Sequence, residues 1–456
     1  MESRSLTFDE ALAVLRSAAM FGINPSLEGV RELVEALGKP QDAFASVQIT
    51  GTNGKTSTAR LAATLLVAEG RRVGLYTSPH LERYPERIEV DGQIVSDCDF
   101  ARAVSAVLAS AQRLRGAGAV GTPAGFTEFE LLTAATLWLF RDLGVEIAVL
   151  EVGLGGRWDA TSVVSPSVAV ITGVGLDHTA ILGETLGEIA ADKAAIIKRA
   201  SAPVLGPGTD GLDAIFLRRA DEVGTHARAV REGIDFSPVP EDLTVRFRVT
   251  QRPDTPGGTT IVDVDGVHAR YEALAIAAPS YQAANIATAI AAAEAVLGRG
   301  LDAARARAAL AAVTLPGRFE LVRTQPPLIV DGSHNPQAAA VLADAIREAF
   351  PDPACRPTVL LGVLADKDAR GMVAALAPVA HAFAVAAPSS PRALPVGDLA
   401  GLVAAFTGAR PREFGSVAEA LFALSAEPGS GVVVTGSLVT AGEARGALLG
   451  EASDGS

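Results

Sequence analysis

The chain has 456 residues, 49% of them hydrophobic and 20% charged, with a formal net charge of −13. That apolar content excludes disorder for the bulk of the chain, and the lack of a glycine period or long heptad excludes a fibre. The acidic balance also disfavours sequence-independent nucleic-acid binding, which needs a basic face against phosphates.

The segment before Phe44 reads as helical. Leu6, Phe8, Leu12 and Leu15 recur at helical spacing, Gly22 and Asn24-Pro25 interrupt them, and Val30, Leu33, Val34 and Leu37 resume the pattern. From Phe44 the rhythm changes to short β-prone runs that end in glycine-rich or polar turns and lead into Ala/Leu-rich helical stretches. Residues 46–50, 73–77, 147–151 and 168–172 are such runs. Strands of this kind alternating with helices predict a parallel sheet with crossover helices.

Residues 235–272 differ, carrying clustered Pro and Gly with alternating runs such as Leu243-Thr244-Val245-Arg246-Phe247. They predict an antiparallel excursion attached to the first domain. A helix is expected over 282–297, ended by Gly298-Arg299-Gly300, and the strand–helix alternation restarts at 328–331, 358–363, 382–386 and 431–435. The expected organisation is therefore α/β throughout: a parallel-sheet domain over 1–297 and a smaller Rossmann-like α/β domain over 298–456. Only two cysteines occur, Cys98 and Cys355, so neither a disulfide framework nor a zinc ribbon can be built. No apolar signal core opens the chain and no apolar run reaches membrane-spanning length, so a cytoplasmic enzyme is expected.

Ile49-Thr50-Gly51-Thr52-Asn53-Gly54-Lys55-Thr56-Ser57 follows a strand and opens a helix. Glycines there let backbone N–H groups converge on oxygens, the helix N-terminus adds partial positive charge, and Lys55 can reach terminal phosphates. The strict P-loop has Gly where Ile49 stands, so this is a shortened form. The run ending at Glu151 places a carboxylate at the C-terminal end of a strand, where a nucleotide-bound Mg²⁺ needs an oxygen ligand. Thr77-Ser78-Pro79-His80 offers a hydroxyl as a second ligand, or is a simple Ser-Pro turn. Leu176-Asp177-His178 follows another strand; read alone, its His is a ligand or a bystander. Lys193, inside a helical pattern, reads from its neighbours alone as a surface lysine.

Together these segments resemble one family. Thr50 to Lys55, Ser78-Pro79-His80-Leu81, Phe126-Thr127-Glu128-Phe129, Glu151-Val152-Gly153-Leu154-Gly155-Gly156-Arg157 and Leu176-Asp177-His178 occur in order. They are followed by Gln282-Ala283-Ala284-Asn285, Leu315-Pro316-Gly317-Arg318, Asp331-Gly332-Ser333-His334-Asn335-Pro336 and Asp366-Lys367-Asp368. The set is similar to the folylpolyglutamate synthase/dihydrofolate synthase branch of the Mur ligase superfamily. The resemblance implies a P-loop ATPase domain and a ligase domain. It also implies an ATP-dependent amide ligase that joins L-glutamate to dihydropteroate or a folate through an acyl phosphate.

Carried over by position, the resemblance implies that Thr52, Asn53, Gly54, Lys55, Thr56, Asn285, Arg318, Asp331 and His334 touch ATP. Ser78 and Glu151 would hold a first Mg²⁺, and His178 with a carbamylated Lys193 a second. Lys55, Lys193, His178 and Arg318 would carry the catalysis; Thr127, Phe129 and Arg157 would face the pterin or folate. A monomer with small-molecule substrates, and neither nucleic acid nor membrane as partner, is expected. Thr56 stands where this branch commonly has Gly, Asp192 and Ala195 flank the lysine where Glu and Gly are usual, and Ser333 replaces Ala. The alternatives are a Mur-type ligase acting on a UDP-muramoyl substrate and a non-catalytic nucleotide-binding switch. Against the first, the phosphate loop begins too near the start to follow a uridine-binding domain.

Overall fold

The computed structural model describes residues 5–19, 22, 25–115, 125–234, 237–425 and 431–453. Asn24 and Asp235, which the sequence reading used as boundaries, lie outside them. Contacts divide the chain into two compact units. The first comprises Met1–Arg248, Val264–Glu272 and Ala284–Leu310; the second comprises Val249–Asp263, Ala273–Ala283 and Ala311–Ser456.

Among the described residues, seventeen strands build two sheets. The larger contains β1 (Ala45–Thr50), β2 (Val73–Tyr76), β3 (Ile88–Val90), β4 (Gln93–Ile94), β5 (Ile147–Glu151), β6 (Val168–Gly173), β7 (Ala202–Gly208), β8 (Arg228–Glu232), β9 (Thr244–Gln251), β10 (Thr260–Asp265) and β11 (Arg270–Ile276). Their order is β11-β10-β9-β8-β7-β6-β1-β5-β2-β3-β4. From β2 to β9 every neighbouring pair runs parallel, and β2, β3 and β4 pair antiparallel. β9 thus enters the sheet parallel to β8, although the sequence of its segment suggested an antiparallel departure.

The central strands are buried along their whole length, as helix-covered parallel strands must be. One core of the first unit packs helices Phe8–Ala18, Glu28–Ala36, Asp97–Arg115 and Glu128–Asp142 through residues such as Leu33, Phe100, Leu137 and Phe140. A second packs Ile189, Ile196 and Phe216 against Ala169, Ile171 and Leu205.

The smaller sheet comprises β12 (Glu320–Thr324), β13 (Pro327–Val330), β14 (Thr358–Leu361), β15 (Ala382–Ala386), β16 (Arg412–Phe414) and β17 (Val432–Thr435). Their order is β12-β13-β17-β14-β15-β16, with only the β12–β13 pair antiparallel. Ile329, Val359, Leu361, Val385 and Val433 form its core with Leu342, Ile346, Val373 and Leu399 from the covering helices. Asn335 caps helix Pro336–Ala349 by accepting the Ala338 N–H at 2.8 Å, with Pro336 in the first turn. No helix among the described residues is long and apolar enough to cross a membrane.

Candidate active site

Sheet order and register decide where the chemistry gathers. β6, β1, β5 and β2 are adjacent and parallel, with Thr50 opposite Ile171, Ile49 opposite Glu151, and Tyr76 opposite Leu150. The loops leaving these strands therefore emerge together at one edge, the carboxyl edge where open α/β sheets bind ligands. They are the phosphate-type loop at 51–54, the turn beginning at Thr77, the glycine-rich turn after Glu151 and the segment leading to His178.

Lys55 is the first residue of helix Lys55–Ala68, and its Nζ donates to Gly51 O at 2.9 Å and Thr52 O at 3.2 Å. The ammonium is thus held over the loop rather than extended into solvent. Gly54 has a φ of 82°, and a Cβ built on it would stand 2.8 Å from Asn285 Oδ1. Both the left-handed backbone and the approach of Asn285 require glycine. Asn285 therefore meets the loop.

Beside the loop, Thr56 Oγ1 donates to Glu151 Oε1 at 2.8 Å, and the Ser78 N–H donates to Oε2 at 3.2 Å. Glu151 is 1% exposed. Among the described residues no group of three or more His, Cys, Asp or Glu side chains is arranged to hold a metal ion. A dedicated cage is not what Mg²⁺ needs here: it commonly takes one or two carboxylates and fills its shell with water and substrate phosphate oxygens. One buried carboxylate with hydroxyl-bearing neighbours fits that pattern.

Lys193 ends helix Leu186–Lys193 and is 3% exposed, contrary to the surface position its own neighbours suggested. A Cβ added to Gly156 would stand 3.1 Å from Lys193 Cα, so the turn after Glu151 lies directly against it. Burial first, and then the positive charge of Lys55, push its amine down to about 7, while Asp192, Asp177 and Asp159 oppose the shift. Much of the amine is then neutral near pH 7, the form able to attack carbon dioxide. His178 has a left-handed backbone, a side chain 43% exposed, and Asp177 Oδ1 at 3.9 Å from its Nε2.

The candidate pterin-side residues divide. Phe129 stacks on Tyr76 with ring centroids 5.9 Å apart, and its ring lies 2.7 Å from where a Gly153 Cβ would stand. Thr127 is the N-cap of helix Glu128–Asp142; its hydroxyl accepts the Glu130 N–H at 3.2 Å and its own N–H donates to Glu130 Oε2 at 2.8 Å, which makes a capping box. Arg157 is exposed beside Trp158.

In the second unit, Arg318, Asp331 and His334 are each tied to nearby backbone groups. Asp331 accepts the Phe319 N–H and the Ser333 N–H, each at 2.9 Å. Arg318 Nη1 donates to Gly317 O and His334 Nδ1 meets Gly332 O, both at 3.0 Å. A cleft of about 330 Å³, bordered by Arg318, Phe319, Leu321, Ile276 and Pro279, opens beside them. Burial and the charge of Asp331 hold the Tyr281 phenol neutral. In the charged cluster at 366–368, Asp366 pairs with Arg392 at 3.5 Å and Asp368 caps helix Ala369–Leu376.

Several residues of this edge escaped the sequence reading. Asp159 is buried and accepts the N–H groups of Gly153 and Leu154 at 2.9 and 3.0 Å, shaping the glycine-rich turn; desolvation raises its pKa. His80 is held by Arg87, whose Nε donates to Nδ1 at 2.9 Å, and burial with Arg87 lowers the imidazole to about 4. His80 was visible in Ser78-Pro79-His80, but the arginine that fixes it ends the turn Tyr84–Arg87 just before β3 and carried no signal of its own.

A model for the Mur ligase glutamate ligase domain matches residues 317–438. The chain is 38% identical over 449 residues to the dihydrofolate synthase/folylpolyglutamate synthase of Mycobacterium tuberculosis, covering 93% of this chain and 90% of that one. It is 36% identical over 450 residues to the folylpolyglutamate synthase of Lacticaseibacillus casei, covering 98% and 99%. Among solved structures, M. tuberculosis folylpolyglutamate synthase complexed with ADP superposes with a TM-score of 0.85 at 34% identity, covering 96% of this chain and 99% of that one. An Escherichia coli structure in complex with DHPP and ADP gives 0.83 at 29% identity, covering 99% and 98%.

Proposed function

The chain belongs to the folylpolyglutamate synthase/dihydrofolate synthase family, and from that premise we propose that it is an ATP-dependent ligase joining L-glutamate to a pteroate or folate carboxylate. The reading is supported most by the meeting, at one sheet edge, of the loop bearing Lys55, the buried Glu151 and the buried Lys193.

A carboxylate is a poor electrophile with no leaving group, so ATP first converts it to an acyl phosphate and the glutamate amine then displaces phosphate. Negative charge spreads over the transferring group. The loop amides and Lys55 are the groups of this chain suited to receive it, and we assign them, with Thr52, Asn53, Thr56 and Asn285, to the triphosphate. Glu151 and Ser78 would hold Mg²⁺, which when bound neutralises phosphate charge. Lys193, as a carbamate, and His178 would hold a second. For Lys193 the electrostatics favour this: Lys55 opposes an ammonium and would attract an anion. Arg318, Asp331 and His334 are assigned to the nucleotide, and Phe129 with Thr127 and Arg157 to the pterin side. We keep 1–297 as the ATP-binding domain and 298–456 as the ligase domain; the glutamate ligase match at 317–438 supports the latter.

We extend the proposal to both acceptors, dihydropteroate and tetrahydrofolate, because the M. tuberculosis relative carries both names. A cytoplasmic, monomeric enzyme belongs to the same proposal; the free, exposed Cys98 and Cys355 suit a reducing compartment. The test supplies MgATP and glutamate with dihydropteroate, tetrahydrofolate or a UDP-muramoyl acceptor. Phosphate release is expected only when glutamate and a pterin acceptor are both present. Release with the muramoyl acceptor, or none with either pterin, overturns the reading.

A further inference from the structure

Thr172 is the penultimate residue of β6 and is 9% exposed. Nothing in its sequence marks it for a role, yet the phosphate-type loop is wrapped around its side chain. Its hydroxyl donates to Asn53 O at 2.6 Å and lies 3.3 Å from Thr50 O. A hydroxyl has one proton, and at these distances Asn53 O takes it. A Cβ built on Gly51 would stand 1.9 Å from the same oxygen, so the hydroxyl fills the space a side chain at 51 would need. The strand's continuation adds to the lacing: the Thr52 N–H donates to Gly173 O at 3.0 Å, and the Gly175 N–H to Thr52 Oγ1 at 2.8 Å.

The consequence follows from peptide geometry. In a trans peptide the C=O and the N–H point in opposite directions. Holding Asn53 O inward on Thr172 therefore turns the N–H of Gly54 the other way, out of the loop's anchored side. A phosphate cradle depends on that choice, because a flipped peptide would present a carbonyl oxygen to an anion.

We propose that Thr172 is a positioning residue for nucleotide binding: its hydroxyl fixes the 53–54 peptide so that the Gly54 N–H faces the phosphates. The inference rests on the assignment of this loop to the triphosphate. Removing the hydroxyl takes this donor away from the part-buried Asn53 carbonyl and frees the peptide to flip, a loss worth about tenfold in affinity or more.

The experiment compares wild type, Thr172→Val, which keeps the shape without the hydroxyl, and Thr172→Ser, which keeps the hydroxyl. Binding of a non-hydrolysable ATP analogue with Mg²⁺ is measured by calorimetry, and KM is measured separately for ATP, glutamate and the folate acceptor. For Thr172→Val the analogue Kd and the ATP KM should rise about tenfold, with the other two KM values within about twofold; Thr172→Ser should stay near wild type. Unchanged analogue binding in Thr172→Val overturns the proposal. So does an equal loss in Thr172→Ser, which would make the methyl group responsible, or a parallel rise in all three KM values, which would mark a general packing defect. If Thr172→Val does not fold, Thr172→Ala replaces it against Thr172→Ser under the same criteria. Failure of the wild-type protein to bind the analogue would instead remove the loop assignment itself.

Discussion

Thr56 and Glu151 are 95 residues apart in sequence and share a hydrogen bond of 2.8 Å, from the threonine hydroxyl to the buried carboxylate. The pair joins the start of the helix after β1 to the end of β5, so the candidate phosphate and metal groups sit in one place. It also gives a role to Thr56, which departs from the glycine common in this branch.

If Glu151 holds Mg²⁺ through its charge, Glu151→Gln should lower turnover at least about a hundredfold while preserving shape. Thr56→Val, which leaves the carboxylate charged but unanchored on one oxygen, should raise the Mg²⁺ needed for half-maximal rate about tenfold. Initial rates across a Mg²⁺ titration check both. A Glu151→Gln enzyme with wild-type Mg²⁺ dependence would remove Glu151 from the metal site.

Lys55→Ala should reduce kcat about a hundredfold or more with little change in thermal midpoint, because the ammonium rests on loop carbonyls and contributes no apolar packing. Alanine is also a good helix residue at that first position. Steady-state kinetics beside a thermal melt separate the two effects, and near-normal turnover would contradict the phosphate assignment.

Gly54→Ala imposes a side chain on a φ of 82° and drives it against Asn285 Oδ1. The backbone strain costs about 1 kcal/mol, and relief by moving Asn285 displaces a neighbour of the loop. Nucleotide affinity should fall about tenfold or more. Adding Asn285→Gly should restore only part of it, since the clash is removed and the strain is not; titration with an ATP analogue reads both values.

The amine of Lys193 is lowered to about 7 in the fold from 10.5. Between those values the unfolded chain binds a proton that the folded chain does not, so stability rises with pH across the interval. Below about 7 both states are protonated and the full burial penalty is present. Lys193→Met should therefore stabilise the protein most near pH 6, with the gain shrinking toward pH 10, in carbon-dioxide-free buffer. Melting temperatures of both proteins across that range are the measurement, and a pH-independent difference would show that the amine is not depressed.

The carbamate is tested by rescue. Lys193→Ala should be inactive and partly restored by short-chain carboxylates, which supply an anion in the vacated space. Undiminished activity in Lys193→Ala would take the carbamate out of the mechanism.

The strands that organise the site were readable because they are short, apolar and framed by turn residues. Residues 147–151 and 382–386 match their strands end to end, and 46–50 and 168–172 match within a residue at one end. β7 was not read, because Pro203 and Gly206-Pro207-Gly208 argue locally against a strand; pairing along β6 overrides them. Thr127 was readable as a motif residue but not as a helix cap, whose evidence is the reciprocal bond to Glu130.

Sequence alone determined the two α/β halves, the phosphate-type loop and the acid at the end of β5, since these depend on residue type, local order and spacing along one strand–turn–helix unit. Only the tertiary structure decided that Lys193 is buried beside that acid's turn, that Asn285 closes over Gly54 and that Thr172 anchors the loop. Each of those depends on which elements become neighbours, and a contact between residues far apart along the chain leaves no periodicity in the sequence that makes it.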